Sequence, residues 1–216
     1  QRIDQMINTI DDLNMDSVAL TEHGNMFSTI SYYKEAKKAG IKPIIGCEVY
    51  VATGSRFDKK QLPGGGWGNN HLVLLAKNYQ GYKNLMKLVT AGYLEGFYYR
   101  PRIDIDLLKE FNEGLICLSG CLKGELPEKM LKGDFEGAKK TAIMYSQIFN
   151  ERYYLEIQNH GIPEEEANIA NMKKLSSELG LPLVCTNDAH YARQNHWEAH
   201  DIHICLGTGK ERSDQN

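Results

Sequence analysis

The chain has 216 residues, 42% hydrophobic and 25% charged, with a formal net charge of −3. That length can bury a full core without staples, and the balance excludes a disordered or fibrous chain. The mild negative charge excludes bulk attraction to nucleic acid or to an anionic membrane, so any such contact needs a local patch. No apolar run reaches the ~18 residues of a membrane span, and no secretory signal opens the chain. The five cysteines, Cys47, Cys117, Cys121, Cys185 and Cys205, are odd in number and form no CxxC pair. They read as free thiols of a reducing, cytoplasmic setting. The chain opens in a helical pattern without Met and stops on "GKERSDQN" without a capping element. The expectation is a piece of a longer polypeptide.

In chain order, Ile3, Met6, Ile7, Ile10 and Leu13 share one helical face, predicting a first helix. "SVAL" follows as a short buried strand leading into "TEHG". "STISYYKEAKKAG" predicts a helix that stops on Gly40. "IKPIIGCEVYVA" is a strand, and "TGSRFDKKQLPGGGWGNN" a loop whose glycine run is expected to be mobile. "HLVLLAKN" predicts a strand, "YKNLMKLVTAGYLEG" a helix and "GLICLSG" a strand. A helical stretch over about 123–150 breaks at "KGD". "YYLEIQ" is a strand, "PEEEANIANMKKLSSELG" a helix, "LPLVCT" a buried strand and "NHWEAHDIHICLG" a closing helix. Strands alternate with helices, and most are continuous apolar runs. That pattern predicts a parallel sheet covered by helices, as a barrel or a doubly wound sheet. "GTGK" at 207–210 follows a helix and lacks the upstream glycine of a phosphate loop.

Nearly every strand delivers a metal-binding residue type. "VALTEHG" ends on Glu22 and His23, Glu48 lies inside "GCEVYV", and His71 opens "HLVLLA". Cys121 follows "LICLSG", Gln158 and His160 follow "YYLEI", and "CTNDAHY" places Asp188 one residue from His190. In α/β barrels chemistry collects at the C-terminal strand ends. Imidazole, thiolate and carboxylate suit zinc, manganese or iron, and bridging carboxylates can hold two ions. Each residue alone also reads as a cap, a surface group or a small buried thiol. Glu48 is the least ordinary, because a carboxylate in an apolar strand demands a cationic partner. The conjunction predicts that His23, Glu48, His71, Cys121, Asp188 and His190 converge on one cleft. "FYYRPR" pairs aromatics with cations, so Tyr99, Arg100 and Arg102 are candidates for nucleic-acid contact, the alternative being a solvated turn. "SRFDKK" reads as a solvated loop. His196, His200 and His203 share a helix face, but no carboxylate completes the set, and packing is the favoured reading.

The stretches "ALTEHGNMFSTISYYKEAKKAGIKPIIGCEVYVA", "HLVLLAKNYQGYKNLMKLV", "GFYYRPRID", "LSGCLKGE", "YYLEIQNHGIPEEE" and "TNDAHY" resemble the polymerase and histidinol phosphatase (PHP) domain of bacterial replicative DNA polymerase III alpha subunits. The resemblance runs nearly end to end. It implies one domain over 1–216, a distorted (β/α)7 TIM-like barrel, with 193–216 leading towards the polymerase palm. In that family nine ligands hold up to three divalent metals. By resemblance His23, Glu48, His71, Cys121, Asp188 and His190 fall on six of those positions. The other three belong to a first strand with a His-x-His pair and a nearby acid, which is not found in this sequence. His160 resembles a residue at the site rim. The implied role is in DNA replication, with a metal-binding phosphoesterase site that acts as a 3′–5′ exonuclease in some members. The implied partners are DNA, through the parent polymerase, and other replicase subunits including a proofreading exonuclease, with no membrane. Two alternatives stand beside it: a structural module that braces the polymerase and docks the proofreading subunit, or a stand-alone phosphatase of the histidinol phosphatase kind.

Overall fold

A computed structural model describes residues 1–61 and 68–214. The glycine run at 64–66, expected to be mobile, lies outside them. The elements are α1 (Ile3–Asp12), β1 (Ser17–Leu20), α2 (Thr29–Lys38), β2 (Lys42–Ala52), β3 (Asn69–Ala76), α3 (Tyr79–Leu94), β4 (Arg102–Ile103), α4 (Ile105–Phe111), β5 (Leu115–Leu118), α5 (Glu125–Leu131), α6 (Phe135–Phe149), β6 (Tyr153–Ile157), α7 (Pro163–Leu179), β7 (Leu183–Cys185) and α8 (Trp197–Thr208). Short polar side chains set the helix starts. Asn78, Asp104 and Asp134 accept the backbone N–H of Gly81 (2.9 Å), Leu107 (3.2 Å) and Gly137 (2.9 Å), groups left unpaired by the first turn. Pro163 opens α7 and Gly180, in the left-handed region, closes it. The sequence pattern predicts neither β4 nor α4, since two and seven residues are too few to show a period.

The strands run in the order β1-β2-β3-β5-β6-β7, with β4 beside β2. The sheet is mixed, not parallel as expected. β3 is antiparallel to β2 and to β5, while β5–β6, β6–β7 and β2–β4 are parallel. The reason lies in the connection. The described residues between β2 and β3 contain no helix, and a parallel return needs a long crossover, usually a helix. A second correction concerns β1 and β7, expected as buried strands. β1 is half-buried with one exposed residue, and two of the three residues of β7 are exposed. They stand at the two ends of the strand order, so each has one neighbour strand.

The chain divides into two compact units, 1–18 with 30–43 and 188–216, and 19–29 with 44–187. In the first, α1 buries Met6, Ile7 and Ile10, and Arg193 pairs with Asp12. Its helix α8 has no buried residue and leaves Trp197, Ile202, Ile204 and Leu206 exposed. In the second, Cys47, Val49 and Val51 of β2 join Leu72 and Leu74 of β3, Leu85 and Leu88 of α3 and Leu155 of β6 in one core. Glu48 and Tyr50 alternate with those β2 residues and so face the opposite side of the sheet.

Tyr153 is wholly buried in this core, stacked on Tyr145 at 5.6 Å between ring centroids, and its hydroxyl has no hydrogen-bond partner among the described residues. A buried unpaired hydroxyl costs about 1–3 kcal/mol. Tyr153→Phe is therefore expected to leave stability unchanged or to raise it by about 1 kcal/mol in urea unfolding. A loss of comparable size would show that the hydroxyl is bonded in solution.

Candidate metal centre

The centre is built on one buried carboxylate. Glu48 is 4% exposed, and its Oε1 lies 2.6 Å from Nδ1 of His23 and 2.9 Å from Nδ1 of His71. His23 reaches it because the turn after β1 docks on β2. The Glu48 N–H donates to the Glu22 carbonyl at 3.0 Å and the Gly24 N–H to the Glu48 carbonyl at 2.7 Å. Gly24 makes that turn possible. Its φ of +67° is left-handed, and a Cβ there would stand 2.8 Å from the Tyr50 ring. His71 reaches Glu48 because β3 runs antiparallel, with Tyr50 opposite His71 in register. The entrance of β3 thus meets the exit half of β2, which is why a residue that begins a strand joins residues that follow others.

Cys121 comes from the loop after β5. Gly120 precedes it with φ +86°, and a Cβ there would lie 2.6 Å from the His71 carbonyl oxygen. The loop therefore closes on His71, and the Cys121 Sγ lies 3.7 Å from His71 Nδ1. Glu48, His71 and Cys121 each offer one ligand atom, all within 4.8 Å of one another. Among the described residues this is the one such group of three. The donor set fits a borderline transition ion. Tetrahedral zinc with bonds of ~2.0–2.3 Å to N and S would hold those two atoms about 3.6 Å apart. The histidine and cysteine are already at that separation.

Charge follows the same geometry. Burial pushes the Glu48 carboxyl up, but its bonds to His23 and His71 and their charge outweigh burial and hold it at about 2. The carboxylate is thus an anion at neutral pH. Exposure grades outward from it, through His71 to the half-exposed His23. The two histidines open on a groove of about 860 Å³ that is also lined by Tyr50, Arg100, Lys123 and Lys132. Sequence reasoning missed Tyr50 and both lysines. Tyr50 sets its ring edge against His71 at 5.2 Å and lies 5.6 Å from the Arg100 guanidinium. Its signal was present, two residues beyond Glu48 on the same strand face. The lysines carried none, because α5 had to form before Lys123 and Lys132 could share a groove.

The surroundings of the remaining candidates are local. Asp188 and His190 lie in the first unit, both exposed. Asp188 has φ +44°, and His190 Nδ1 is 2.7 Å from its carbonyl oxygen. Arg102 is corrected from a nucleic-acid contact to a structural cation. It is 2% exposed, and its guanidinium donates to the carbonyls of Gly96 (3.2 Å), Asp58 (2.8 Å) and Arg56 (3.3 Å). Parallel pairing of β4 with β2 draws it inward, opposite Tyr50. Tyr99 and Arg100 stay exposed. Glu22 turns to Ser28, accepting its N–H at 3.0 Å and its hydroxyl at 2.8 Å. His160 has Nδ1 2.7 Å from Glu165 and Nε2 2.7 Å from the Asn187 carbonyl. The His200 ring lies tilted against those of His190 and Tyr191, each at 5.4 Å between centroids.

The sequence pattern of the PHP domain matches residues 1–160. The DNA polymerase III subunit alpha of Borreliella burgdorferi is 49% identical over 215 residues, covering 100% of this chain and 19% of that protein. That of Treponema pallidum is 46% identical over 215 residues, covering 99% and 18%. The chain thus spans about a fifth of the length of these relatives. Among solved structures, a proposed metal-dependent phosphoesterase of Bifidobacterium adolescentis superposes with a TM-score of 0.50 at 9% identity, covering 89% of this chain and 83% of that one. That likeness is one of fold alone, and it bears out the expected α/β fold of the PHP kind.

Glu48 makes the metal-free protein's stability depend on pH. Its folded value of about 2 lies below the ordinary 4.5. A depressed carboxyl stabilises the fold fully above its unfolded value and loses that contribution as pH falls through the folded one. The expected loss is about 3 kcal/mol between pH 5 and pH 2, and Glu48→Gln should flatten that part of the profile. Chemical unfolding of metal-free protein across this range measures it, and equal slopes in both proteins would refute the assignment.

Proposed function

Because this chain belongs to the PHP domain family, we propose that it is the PHP domain of a bacterial DNA polymerase III alpha subunit and holds a metal-dependent phosphoesterase centre. The observation that carries the reading is the Glu48 carboxylate shared by His23 and His71, with Cys121 beside them, at the head of a groove containing three cations. Glu48, His71 and Cys121 would hold a divalent ion, zinc, manganese or iron, with His23 completing the near side. By family resemblance Asp188 and His190 belong to the same ligand set. When bound, such an ion activates a water and neutralises charge on a phosphoryl group.

The chain's own residues supply the rest. In the metal-free protein Glu48 holds its negative charge inside the fold and orients both imidazoles through their Nδ1 atoms. Arg100, braced on Tyr50, and Lys123 and Lys132 offer cations to a phosphodiester backbone. Lys132 is shared with Glu128 at 2.5 Å, so Arg100 and Lys123 carry more of that contact. The reaction we assign is hydrolysis at a DNA 3′ end. The whole protein would be a replicative DNA polymerase of the cytoplasm, working with DNA and with other replicase subunits, including a proofreading exonuclease. The exposed apolar side chains of α8 support 193–216 leading into further polypeptide.

In the full-length protein, His71→Ala should lower bound metal and reduce 3′-end hydrolysis at least about 100-fold while nucleotide addition persists. Metal loss that lowers stability without any hydrolysis to lose would instead assign the centre a bracing role.

The two arginines of "YYRPR" give a paired test. Arg100→Ala should weaken binding to a DNA 3′ end and reduce the salt slope by about 1, with unfolding unchanged. Arg102→Ala should destabilise the fold by about 2 kcal/mol, because three carbonyls lose their donor. Binding titrations over a salt series and urea unfolding measure the pair, and a reversal of the two effects would overturn the assignment.

A further inference from the structure

Three aromatic rings stand in a row on the surface of the second unit. Phe27 lies in the turn after β1, Tyr93 in the last turn of α3, and Phe97 just beyond that helix. The ring centroids are 6.1 Å apart from Phe27 to Tyr93 and 6.1 Å from Tyr93 to Phe97, with the planes inclined at 42° and 28°. The three residues are 80%, 37% and 48% exposed. A single apolar side chain on a surface is ordinary, but a contiguous exposed row points to an occupant.

The row is tied to the metal centre. The Asn25 side-chain amide donates to the His23 carbonyl at 3.1 Å, and its oxygen accepts the Phe27 N–H at 3.1 Å. Phe27 is thereby fixed relative to a histidine of the centre. Pro101 fixes the rest. A Cβ at Gly24 would stand 2.8 Å from the Pro101 ring, and one at Gly92 3.3 Å from the Pro101 carbonyl. The turn bearing His23, the end of α3 and the turn bearing Arg100 therefore pack on one another. Arg100 lines the groove together with Lys123 and Lys132. Glu95, between Tyr93 and Phe97 in the chain, is paired with Arg56 at 2.6 Å.

Flat rings beside cations match a nucleic-acid strand, whose bases stack and whose phosphates are anions. The spacing says which kind of strand. A step of 6.1 Å between rings exceeds the rise of about 3.4 Å per nucleotide in duplex DNA. Bases laid on this row must be drawn apart, which a paired end resists and a single strand permits.

We infer that Phe27, Tyr93 and Phe97 form a stacking platform for the unpaired bases next to a DNA 3′ end, whose phosphates run to Arg100 and the groove. The inference rests on the reading of that groove as a site for a DNA 3′ end. It adds a means of telling a single-stranded end from a paired one.

Photo-crosslinking of the full-length protein tests it. The probe is a single-stranded oligonucleotide carrying 5-iodouracil near its 3′ end, with adducts located by mass spectrometry. Adducts are expected on Phe27, Tyr93 or Phe97, and at least about 5-fold fewer with a blunt duplex of the same sequence. Phe27→Leu keeps apolar bulk without the ring and should lower the yield on this row at least about 5-fold, whereas Phe27→Tyr should retain it. Adducts confined to other segments would overturn the inference. Equal yields from the two variants would overturn it too, and would mark the row as an apolar patch for a protein partner. Crosslinking needs no hydrolysis, so the two readings fail separately. Ring adducts without 3′-end hydrolysis would keep the platform and remove the phosphoesterase, and hydrolysis without ring adducts would do the reverse.

Discussion

Everything near the centre answers to one constraint, a carboxylate placed inside a sheet. A buried anion is tolerated only when charge-assisted hydrogen bonds replace its water. Glu48 finds two, from His23 and His71. Those bonds tie three pieces of chain together: the turn after β1, the middle of β2 and the start of β3. The same bonds orient two imidazoles side by side and keep the acid ionised. Arrangement and charge state are thus consequences of one burial.

The direction of β3 turns that constraint into a site. In a sheet of parallel strands a residue at a strand's entrance would stand at the far end from residues at the exits. Because β3 is antiparallel to both neighbours, its first residues meet the exit of β2 and the loop after β5. His71, Glu48 and Cys121 come from three segments spread over 74 positions of the chain, and yet their ligand atoms fall within 4.8 Å. Gly24 and Gly120 permit the closure, each at a turn where a Cβ would strike a neighbour.

A second polar layer supports the first. Glu156 accepts the Gly120 N–H, and the Glu156 N–H donates to the Ser119 hydroxyl at 2.8 Å. The loop bearing Cys121 is therefore anchored on β6 as well as on β3. Arg102 supports the other side of the groove. It is buried among backbone carbonyls under the Tyr98 ring, at 5.2 Å, and so holds the turn that presents Arg100.

The sequence by itself determined the order of most elements, because helices and apolar strands imprint their periods on local stretches of chain. It also marked His23, Glu48, His71 and Cys121 as metal-binding types at the margins of strands, since those residue types are costly or uncommon there. Their grouping is a different matter. Whether β3 runs parallel or antiparallel depends on how a loop returns the chain, and no local period records that. The same holds for Arg100 and Arg102, two residues apart and identical in chemistry. Pairing of β4 with β2 buries one among carbonyls and leaves the other over Tyr50. Burial of a given side chain is decided by neighbours distant in the chain, and only the tertiary structure brings those neighbours to it.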